Sequence, residues 1–188
     1  MKLKRVLDLF FVLIAALVLV LPAMLVALAV RLTSSGPILY WSDRVGQYNK
    51  LFKMPKFRSM RVNTPMVATH LLSNPSAYLT PIGIFLRKTS LDELPQLWCI
   101  INGDMSFVGP RPALFNQYDL ISFRTHAGVH ELIPGLTGWA QINGRDELSI
   151  KEKVMLDVEY LSHQSLKFDI YILWLTILKV LRQDGVAH

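Results

Sequence analysis

The stretch that decides the fold runs from Leu9 to Val30 and reads LFFVLIAALVLVLPAMLVALAV. Its 22 residues carry no charge, and the most polar of them is Pro22. As a straight helix it would be about 33 Å long, enough to cross a hydrocarbon core of about 30 Å. Because proline removes one helical hydrogen bond and crowds the preceding turn, Pro22 should bend or break the helix. The sequence therefore predicts a membrane helix with a central bend.

Basic side chains flank the apolar stretch on both sides. Residues 1–61 have a net charge of +8 and the remaining residues a net charge of −2. Basic flanks favour the cytoplasmic face of a membrane, so two basic flanks favour a re-entrant helix, residues 1–32, that enters and leaves through one leaflet. A spanning helix is the alternative that length alone supports. A signal peptide fits less well, because its apolar region usually has only about 7 to 15 residues.

Length and composition narrow the class of protein. The chain has 188 residues, is 52% apolar and has a mean hydropathy of +0.33, which excludes intrinsic disorder. A single cysteine, Cys99, excludes an internal disulfide framework and a multi-cysteine zinc site. We expect one α+β domain over residues 1–188, mostly helical, with residues 33–188 on the cytoplasmic face that the basic flanks favour.

Residues 38–60 should form a small β-hairpin. Residues 38–41 are β-branched, aliphatic or aromatic, residues 46–50 suit a turn, and Pro55 would restrict the returning strand to a sheet edge. In an extended segment Lys56 and Arg58 lie on one face, where two cations would suit an anion. A solvated strand edge guarded by charge is equally compatible with this pattern.

Two later segments predict helices. Residues 149–162 have an amphipathic pattern. Residues 166–183 include nine uncharged residues, too few to span a membrane, with Tyr171 and Trp174 among them. This pattern favours an amphipathic helix in the membrane interface, and a buried core helix is the alternative.

Asp92 and Glu93 are adjacent carboxylates at a predicted helix start. Ser90 and Glu93 have the spacing of a capping box, and Pro95 suits a first helical turn, so ordinary capping is one interpretation. The other interpretation is catalytic, because free amides at a helix start attract phosphate and Arg87 lies just before it. One carboxylate could then attack phosphorus while the other holds Mg²⁺ against the phosphate oxygens.

Two arginines lie in turns or fixed loops. Arg111 stands between Pro110 and Pro112, which limit its backbone, and Arg145 follows an Asn-Gly turn. Each could present its guanidinium to an oxyanion, or pair with an acid. The sequence has no Walker loop, no Gly-x-Gly-x-x-Gly and no Gly-x-Ser-x-Gly, which excludes the P-loop, Rossmann and α/β-hydrolase templates.

Six strings occur along nearly the whole chain in an order that is typical of one family. They are Lys4-Arg5-x-x-Asp8, Lys56-Phe57-Arg58-Ser59-Met60, Leu91-Asp92-Glu93-Leu94-Pro95-Gln96-Leu97, Gly103-Asp104-Met105-Ser106-Phe107-Val108-Gly109-Pro110-Arg111-Pro112, Pro134-Gly135-Leu136-Thr137-Gly138-Trp139-Ala140-Gln141-Ile142-Asn143-Gly144-Arg145 and Asp157-Val158-Glu159-Tyr160. Together with the proline-broken apolar helix, they make the sequence resemble the bacterial sugar transferase family, the small monotopic phosphoglycosyl transferases. One departure is Leu21, since family members often have serine before the proline.

The resemblance implies an enzyme that transfers a sugar-1-phosphate from a UDP-sugar to polyprenol (undecaprenyl) phosphate and releases UMP. The expected location is the cytoplasmic face of the bacterial inner membrane, at the first membrane step of glycoconjugate synthesis. Asp92 would attack the β-phosphorus and form a covalent phospho-sugar intermediate, which the polyprenol phosphate would then attack. Glu93 would hold Mg²⁺. The expected partners are the donor, the acceptor and membrane lipid, without nucleic acid, and the expected anchor is a re-entrant helix hairpin.

The resemblance also assigns the basic residues. Lys56, Arg58, Arg87 and Arg111 match family positions near the phosphates, and Arg145 matches a position beside the donor nucleotide. Two alternatives remain open at this stage. One is a non-catalytic membrane adaptor that uses the basic segment, and the other is a phosphatase or pyrophosphatase acting on the same diphosphates.

Overall fold

Helix α1 (Lys2–Thr33) begins the computed structural model, which describes residues 2–65, 74–144 and 147–182. It contains 32 residues with Pro22 inside it. Within those described ranges it is the helix that is long and apolar enough to cross a membrane, by length and composition alone. Most of its side chains are exposed, and the buried ones are Asp8, Val12, Val26 and Val30. The predicted apolar helix is confirmed; its re-entrant path stays a prediction.

Short strands and helices follow α1 and mix along the chain. The strands are β1 (Leu39–Val45), β2 (Leu51–Phe57), β3 (Ser106–Val108), β4 (Ala113–Leu114) and β5 (Gly135–Thr137). The helices are α2 (Gly83–Thr89), α3 (Leu97–Asn102), α4 (Tyr118–His126), α5 (Trp139–Ile142), α6 (Ile150–Ser162) and α7 (Leu166–Arg182). Short 3-10 helices lie at Gln47–Asn49, Pro75–Tyr78, Leu91–Gln96 and Val129–Glu131. The predicted mixture of helix and sheet is confirmed.

The predicted hairpin is present as β1 and β2, which pair antiparallel from Leu39 with Phe57 to Val45 with Leu51. The sheet order is β2-β1-β4, so the strand that contains Pro55 lies at the edge, as predicted. The second strand ends at Phe57 and does not continue to Met60. A second, two-stranded sheet pairs β3 and β5 in parallel.

The N-terminal part of α1 is tied to the later chain by polar contacts. Lys4 Nζ donates to Val108 O at 3.0 Å and forms an ion pair with Asp169 at 2.6 Å. Asp8 accepts a hydrogen bond from the Phe107 amide at 3.2 Å. One turn later, Val12 enters a core cluster with four other buried residues, Met54, Cys99, Ile100 and Met105.

The C-terminal part of α1 contacts the same region of the molecule. Val26 and Val30 pack against Phe57 of β2 and Leu86 of α2. The Arg58 guanidinium, just beyond β2, donates to Ser34 O at 2.9 Å and also to Ser35 O. Both ends of α1 therefore rest on β2 and its neighbours, while its middle exposes large apolar side chains at Leu13, Leu17, Val18, Val20, Leu21, Met24 and Leu25.

Helices α6 and α7 build the remaining core. The start of α6 is fixed by a capping box in which Ser149 and Glu152 bond to each other's backbone amides. Tyr160 of α6 and Ile172 of α7 are buried in a cluster with Val108. The opposite face of α7 exposes Ile170, Tyr171, Trp174, Ile177 and Val180. Both helices lie where the sequence predicts them, and α7 is not a fully buried core helix. Its position in the membrane interface stays a prediction.

Three glycines let the loop after β3 approach the strand β5 backbone to backbone. A Cβ at Gly135 would lie 2.1 Å from Gly109 N, and a Cβ at Gly138 would lie 2.1 Å from Gly109 O. Such distances are far inside van der Waals contact, so no side chain fits at these positions without a backbone shift. The glycines therefore fix where the loop that carries Arg111 begins.

Candidate active site

The two adjacent carboxylates lie on the 3-10 helix Leu91–Gln96, between α2 and α3. The chain enters this helix through Ser90, whose φ of 56° is left-handed, an uncommon conformation for a residue other than glycine. The Ser90 side chain makes no capping bond, so the capping-box interpretation of Ser90 and Glu93 is wrong. The predicted α-helix start is likewise replaced by six residues of 3-10 helix. Helix capping therefore does not explain the two adjacent acids, Asp92 and Glu93.

Glu93 is the acceptor for two cations from distant parts of the chain. Lys56 Nζ from β2 and Arg111 Nη2 from the loop between β3 and β4 each lie 2.7 Å from Glu93 Oε1. The Glu93 side chain is only 13% exposed. Burial alone would raise the pKa of Glu93, but Arg111 and Lys56 outweigh it and hold the pKa well below its usual value. Glu93 is therefore ionised in the folded protein.

Asp92 is in a different electrostatic situation although it is the next residue in the chain. It is buried, with 7% of its surface exposed. Burial raises the pKa of Asp92 above its usual value, and the charge of Glu93 adds to this, while Lys56 and Arg87 oppose it. Two neighbouring carboxylates whose pKa values are pushed apart are a common feature of sites that divide two chemical roles.

The structure brings most of the predicted basic residues to these carboxylates. Lys56 and Arg111 contact Glu93, and Arg87 of α2 acts on Asp92 through its charge. Burial lowers the pKa of Lys56, and the charge of Glu93 partly offsets this. These three cations were predicted from the sequence as ligands of phosphate, and they surround the carboxylates in the folded protein.

Arg58 and Arg145 are the other two predicted basic residues. Arg58 donates to Ser34 and Ser35 at the end of α1. Its amide donates to Ile38 O at 2.9 Å, one pair beyond the last pair of the hairpin. Arg58 therefore holds the end of α1, and its predicted place near the phosphates stays a prediction. Arg145 lies outside the described residues.

The sequence analysis did not identify the residues that hold Arg111 in place. Arg124 of α4 donates to the Arg111 carbonyl at 2.7 Å and to Asp157 of α6 at 2.9 Å. Arg44 of β1 donates to the Pro112 carbonyl at 3.1 Å. The only signal in the sequence was the string around Asp157, to which no role could be given because its partner lies 33 positions away.

The donor set around the carboxylates fits a hard cation such as Mg²⁺, which prefers oxygen ligands. Among the residues described, no three His, Cys, Asp or Glu side chains cluster as a metal site. Mg²⁺ commonly uses only one or two carboxylates and completes its shell with water and substrate phosphates. The hydrogen bonds from Lys56 and Arg111 both end on Oε1 of Glu93, so this carboxylate could offer such a cation its second oxygen.

Comparison with known proteins extends over nearly the whole chain. The family described as bacterial sugar transferase matches residues 1–183. A sugar transferase of Bacillus subtilis (strain 168), EpsL, is 40% identical over 191 residues, covering 100% of this chain and 92% of the relative. Its substrates are not part of its name.

Two relatives have names that state a reaction. A UDP-glucose:undecaprenyl-phosphate glucose-1-phosphate transferase of Escherichia coli (strain K12) is 44% identical over 164 residues, 82% of this chain and 35% of the relative. An undecaprenyl-phosphate galactose phosphotransferase of Salmonella typhimurium (strain LT2) is 40% identical over 169 residues, 80% of this chain and 34% of the relative. The chain thus spans about a third of the length of these two relatives.

Proposed function

The chain belongs to the bacterial sugar transferase family, and from this membership we propose that it transfers a sugar-1-phosphate from a UDP-sugar to undecaprenyl phosphate or a similar polyprenol phosphate. The observation that carries the proposal is the pair of carboxylates in opposed environments, Glu93 bound by Lys56 and Arg111 and Asp92 buried beside them. The relatives named for this reaction support the substrate classes.

In the first step a carboxylate oxygen of Asp92 attacks the β-phosphorus of the donor. The bond from that phosphorus to the UMP oxygen breaks, and UMP leaves with the bonding electron pair. In the second step a phosphate oxygen of the acceptor attacks the same phosphorus, the bond to Asp92 breaks, and the carboxylate is regenerated. A raised pKa suits this role of Asp92, because a more basic carboxylate is a better nucleophile once it is ionised.

The basic residues reduce the repulsion between an anionic nucleophile and an anionic diphosphate. Lys56, Arg87 and Arg111 surround the carboxylates, so phosphate oxygens that approach Asp92 meet positive charge. We propose that Glu93, through Oε2, holds Mg²⁺. When bound, the cation supplies charge neutralisation for the phosphate oxygens.

We further propose that α1 enters and leaves the same leaflet and that the catalytic part lies on the cytoplasmic face of the inner membrane. Support comes from both ends of α1, since Val12 packs with Met54 of β2 and Val30 packs with Phe57 of the same strand. A helix that crossed the bilayer would carry those ends to opposite sides, about 33 Å apart. The bend belongs at Pro22, where the exposed apolar middle would enter the lipid.

The exposed apolar face of α7 supports the proposal that this helix lies at the surface of the same leaflet. Tyr171 and Trp174 are 50% and 57% exposed, and aromatic side chains of this kind favour the membrane–water boundary. In α2, Ile84 and Phe85 are similarly exposed just before Arg87. An acceptor whose phosphate lies at headgroup level would thereby meet the carboxylates without leaving the membrane.

The test is a turnover assay in lipid nanodiscs with UDP-glucose, UDP-galactose or UDP-N-acetylglucosamine, undecaprenyl phosphate and Mg²⁺. We expect acceptor-dependent release of UMP, radiolabelled sugar in the lipid fraction, and loss of both with a chelator. Asp92→Asn should abolish turnover, while the control Asp119→Asn, an exposed acid of α4, should retain it.

The two alternatives give different results in the same assay. A phosphatase or pyrophosphatase would leave the sugar in water and none in lipid. A membrane adaptor would release no UMP with any donor. Either outcome, or full turnover by Asp92→Asn, would refute the proposed function.

A further inference from the structure

The hydrogen bonds that hold the segment from Pro110 to Pro112 come to its carbonyl oxygens and to Arg111, because both prolines lack an N–H. All three carbonyls have donors. Pro110 O accepts from Gly135 N at 2.9 Å, Arg111 O accepts from Arg124 Nη1 at 2.7 Å, and Pro112 O accepts from Arg44 Nη1 at 3.1 Å. The central bond, to the residue that contacts Glu93, comes from a side chain of α4.

Arg124 is itself fixed by a carboxylate of α6. Its Nε and Nη2 lie 2.9 and 2.7 Å from Asp157 Oδ2, and its third nitrogen makes the bond to the Arg111 carbonyl. The pair is buried, with Asp157 2% exposed and Arg124 9% exposed. A buried ion pair is a weak source of net stability, because desolvation offsets the attraction, but it fixes geometry strongly.

These contacts form one continuous chain from α6 to the carboxylates. Asp157 orients Arg124, Arg124 holds the backbone of Arg111, and Arg111 Nη2 reaches Glu93 Oε1 at 2.7 Å. The Arg111 side chain is 27% exposed. Its contact with Glu93 starts from a backbone carbonyl that Arg124 holds.

We propose that Arg124 and Asp157 are positioning residues that set the place of Arg111 on Glu93 and thereby the rate of the first phosphoryl transfer. This inference rests on the proposed function, in which Arg111 offsets charge on the donor diphosphate. Neither Arg124 nor Asp157 contacts Asp92 or Glu93, so both act through Arg111. A displacement of about 1 Å at a reacting site can reduce a rate by about 10²-fold.

Arg124→Lys separates positioning from folding. Lysine keeps the positive charge beside Asp157, but its single nitrogen cannot reproduce a planar fork that donates to a carboxylate and a carbonyl on different elements. Asp157→Asn is the complementary variant, and Glu159→Gln, an exposed acid two positions along α6, is the matched control.

The experiment is a double-mutant cycle between Arg124→Lys and Arg111→Ala, measured as kcat for UMP release with saturating donor and acceptor. We expect Arg124→Lys to lower kcat by about 10- to 100-fold in the native background and to have no further effect in the Arg111→Ala background. Glu159→Gln should keep the native kcat. An equal loss in both backgrounds, or a native kcat for Arg124→Lys, would overturn the inference.

A second readout does not need turnover. Because Arg124→Lys should weaken the contact between Arg111 and Glu93, it should reduce the loss of Tm that Glu93→Gln causes, and the two losses should not add. Additive losses of Tm would overturn the positioning chain. A native protein that releases no UMP would instead refute the proposed function, and the Tm cycle would still decide the positioning of Arg111.

Discussion

Replacing each of the two adjacent carboxylates with its amide should change the stability of the fold in different directions. Glu93→Gln removes the charge that Lys56 and Arg111 share at 2.7 Å, and these three side chains are 13%, 17% and 27% exposed. Removing one partner of a buried pair costs about 3 to 5 kcal/mol. Because both cations keep some contact with water, we expect Glu93→Gln to lower the free energy of unfolding by about 2 to 3 kcal/mol. This corresponds to a decrease in Tm of roughly 4 to 12 °C.

Asp92→Asn should leave Tm unchanged or raise it. Burial raises the pKa of Asp92, which means that the folded state disfavours its charge, and asparagine removes that charge at constant size. Both variants should lose sugar-phosphate transfer. Comparing the two variants therefore distinguishes Glu93, whose charge stabilises the fold, from Asp92, whose charge does not.

The two differences in Tm should also depend on pH in different ways. The pKa of Glu93 is lowered below its usual 4.5 in the folded state, so its contribution is fully present above about pH 4.5 and is lost as the pH falls through the folded pKa. The pKa of Asp92 is raised above its usual 3.8, so its charge destabilises the fold at neutral pH, and this effect disappears as the pH falls toward 3.8.

The assay is thermal unfolding in nanodiscs at low salt from pH 7 to pH 4, with Asp119→Asn as the exposed control. We expect a constant gap between native protein and Glu93→Gln down to about pH 5, and a gap for Asp92→Asn that narrows on acidification. Equal decreases in Tm for both amides, or a Glu93→Gln variant as stable as the native protein, would refute this account of the site.

The remaining predictions concern the supports of the site. Lys4→Met should lower Tm and expose the start of α1 to protease, because the carboxylate of Asp169, which is 5% exposed, loses its ion pair. An unchanged digestion pattern would contradict this. Gly135→Ala should lower Tm, because its Cβ would lie 2.1 Å from Gly109 N. An unchanged Tm would contradict this and show that the backbone shifts at little cost. Cys99 is fully buried and burial raises its pKa to about 12, so maleimide at pH 8 should label the protein only after denaturation.

Local patterns predicted α1, the β-hairpin, α6 and α7. The uncharged stretch around Pro22 predicts α1, the residues flanking the turn at 46–50 predict the β-hairpin, and Pro55 predicts the edge position of β2. These features depend on side-chain periodicity and on the chemistry of proline, which act over a few residues.

Contacts between distant residues were beyond what such patterns determine. The ion pair of Lys56 with Glu93 joins residues 37 positions apart, and only the resemblance to a family placed them together. The hydrogen bond from Arg58 to Ser34 joins residues 24 positions apart, which no local pattern predicts. Ser90 fits a capping box by spacing, but its backbone is left-handed and its side chain makes no capping bond.

The most direct test of the central claim is the mass of the protein after incubation with UDP-sugar and Mg²⁺ in the absence of acceptor. The account predicts that the native protein gains the mass of one sugar phosphate on a peptide that contains Asp92, and that added undecaprenyl phosphate removes it. Asp92→Asn should gain none. A native enzyme that turns over fully yet never carries this mass, or that carries it on another residue, would contradict the claim.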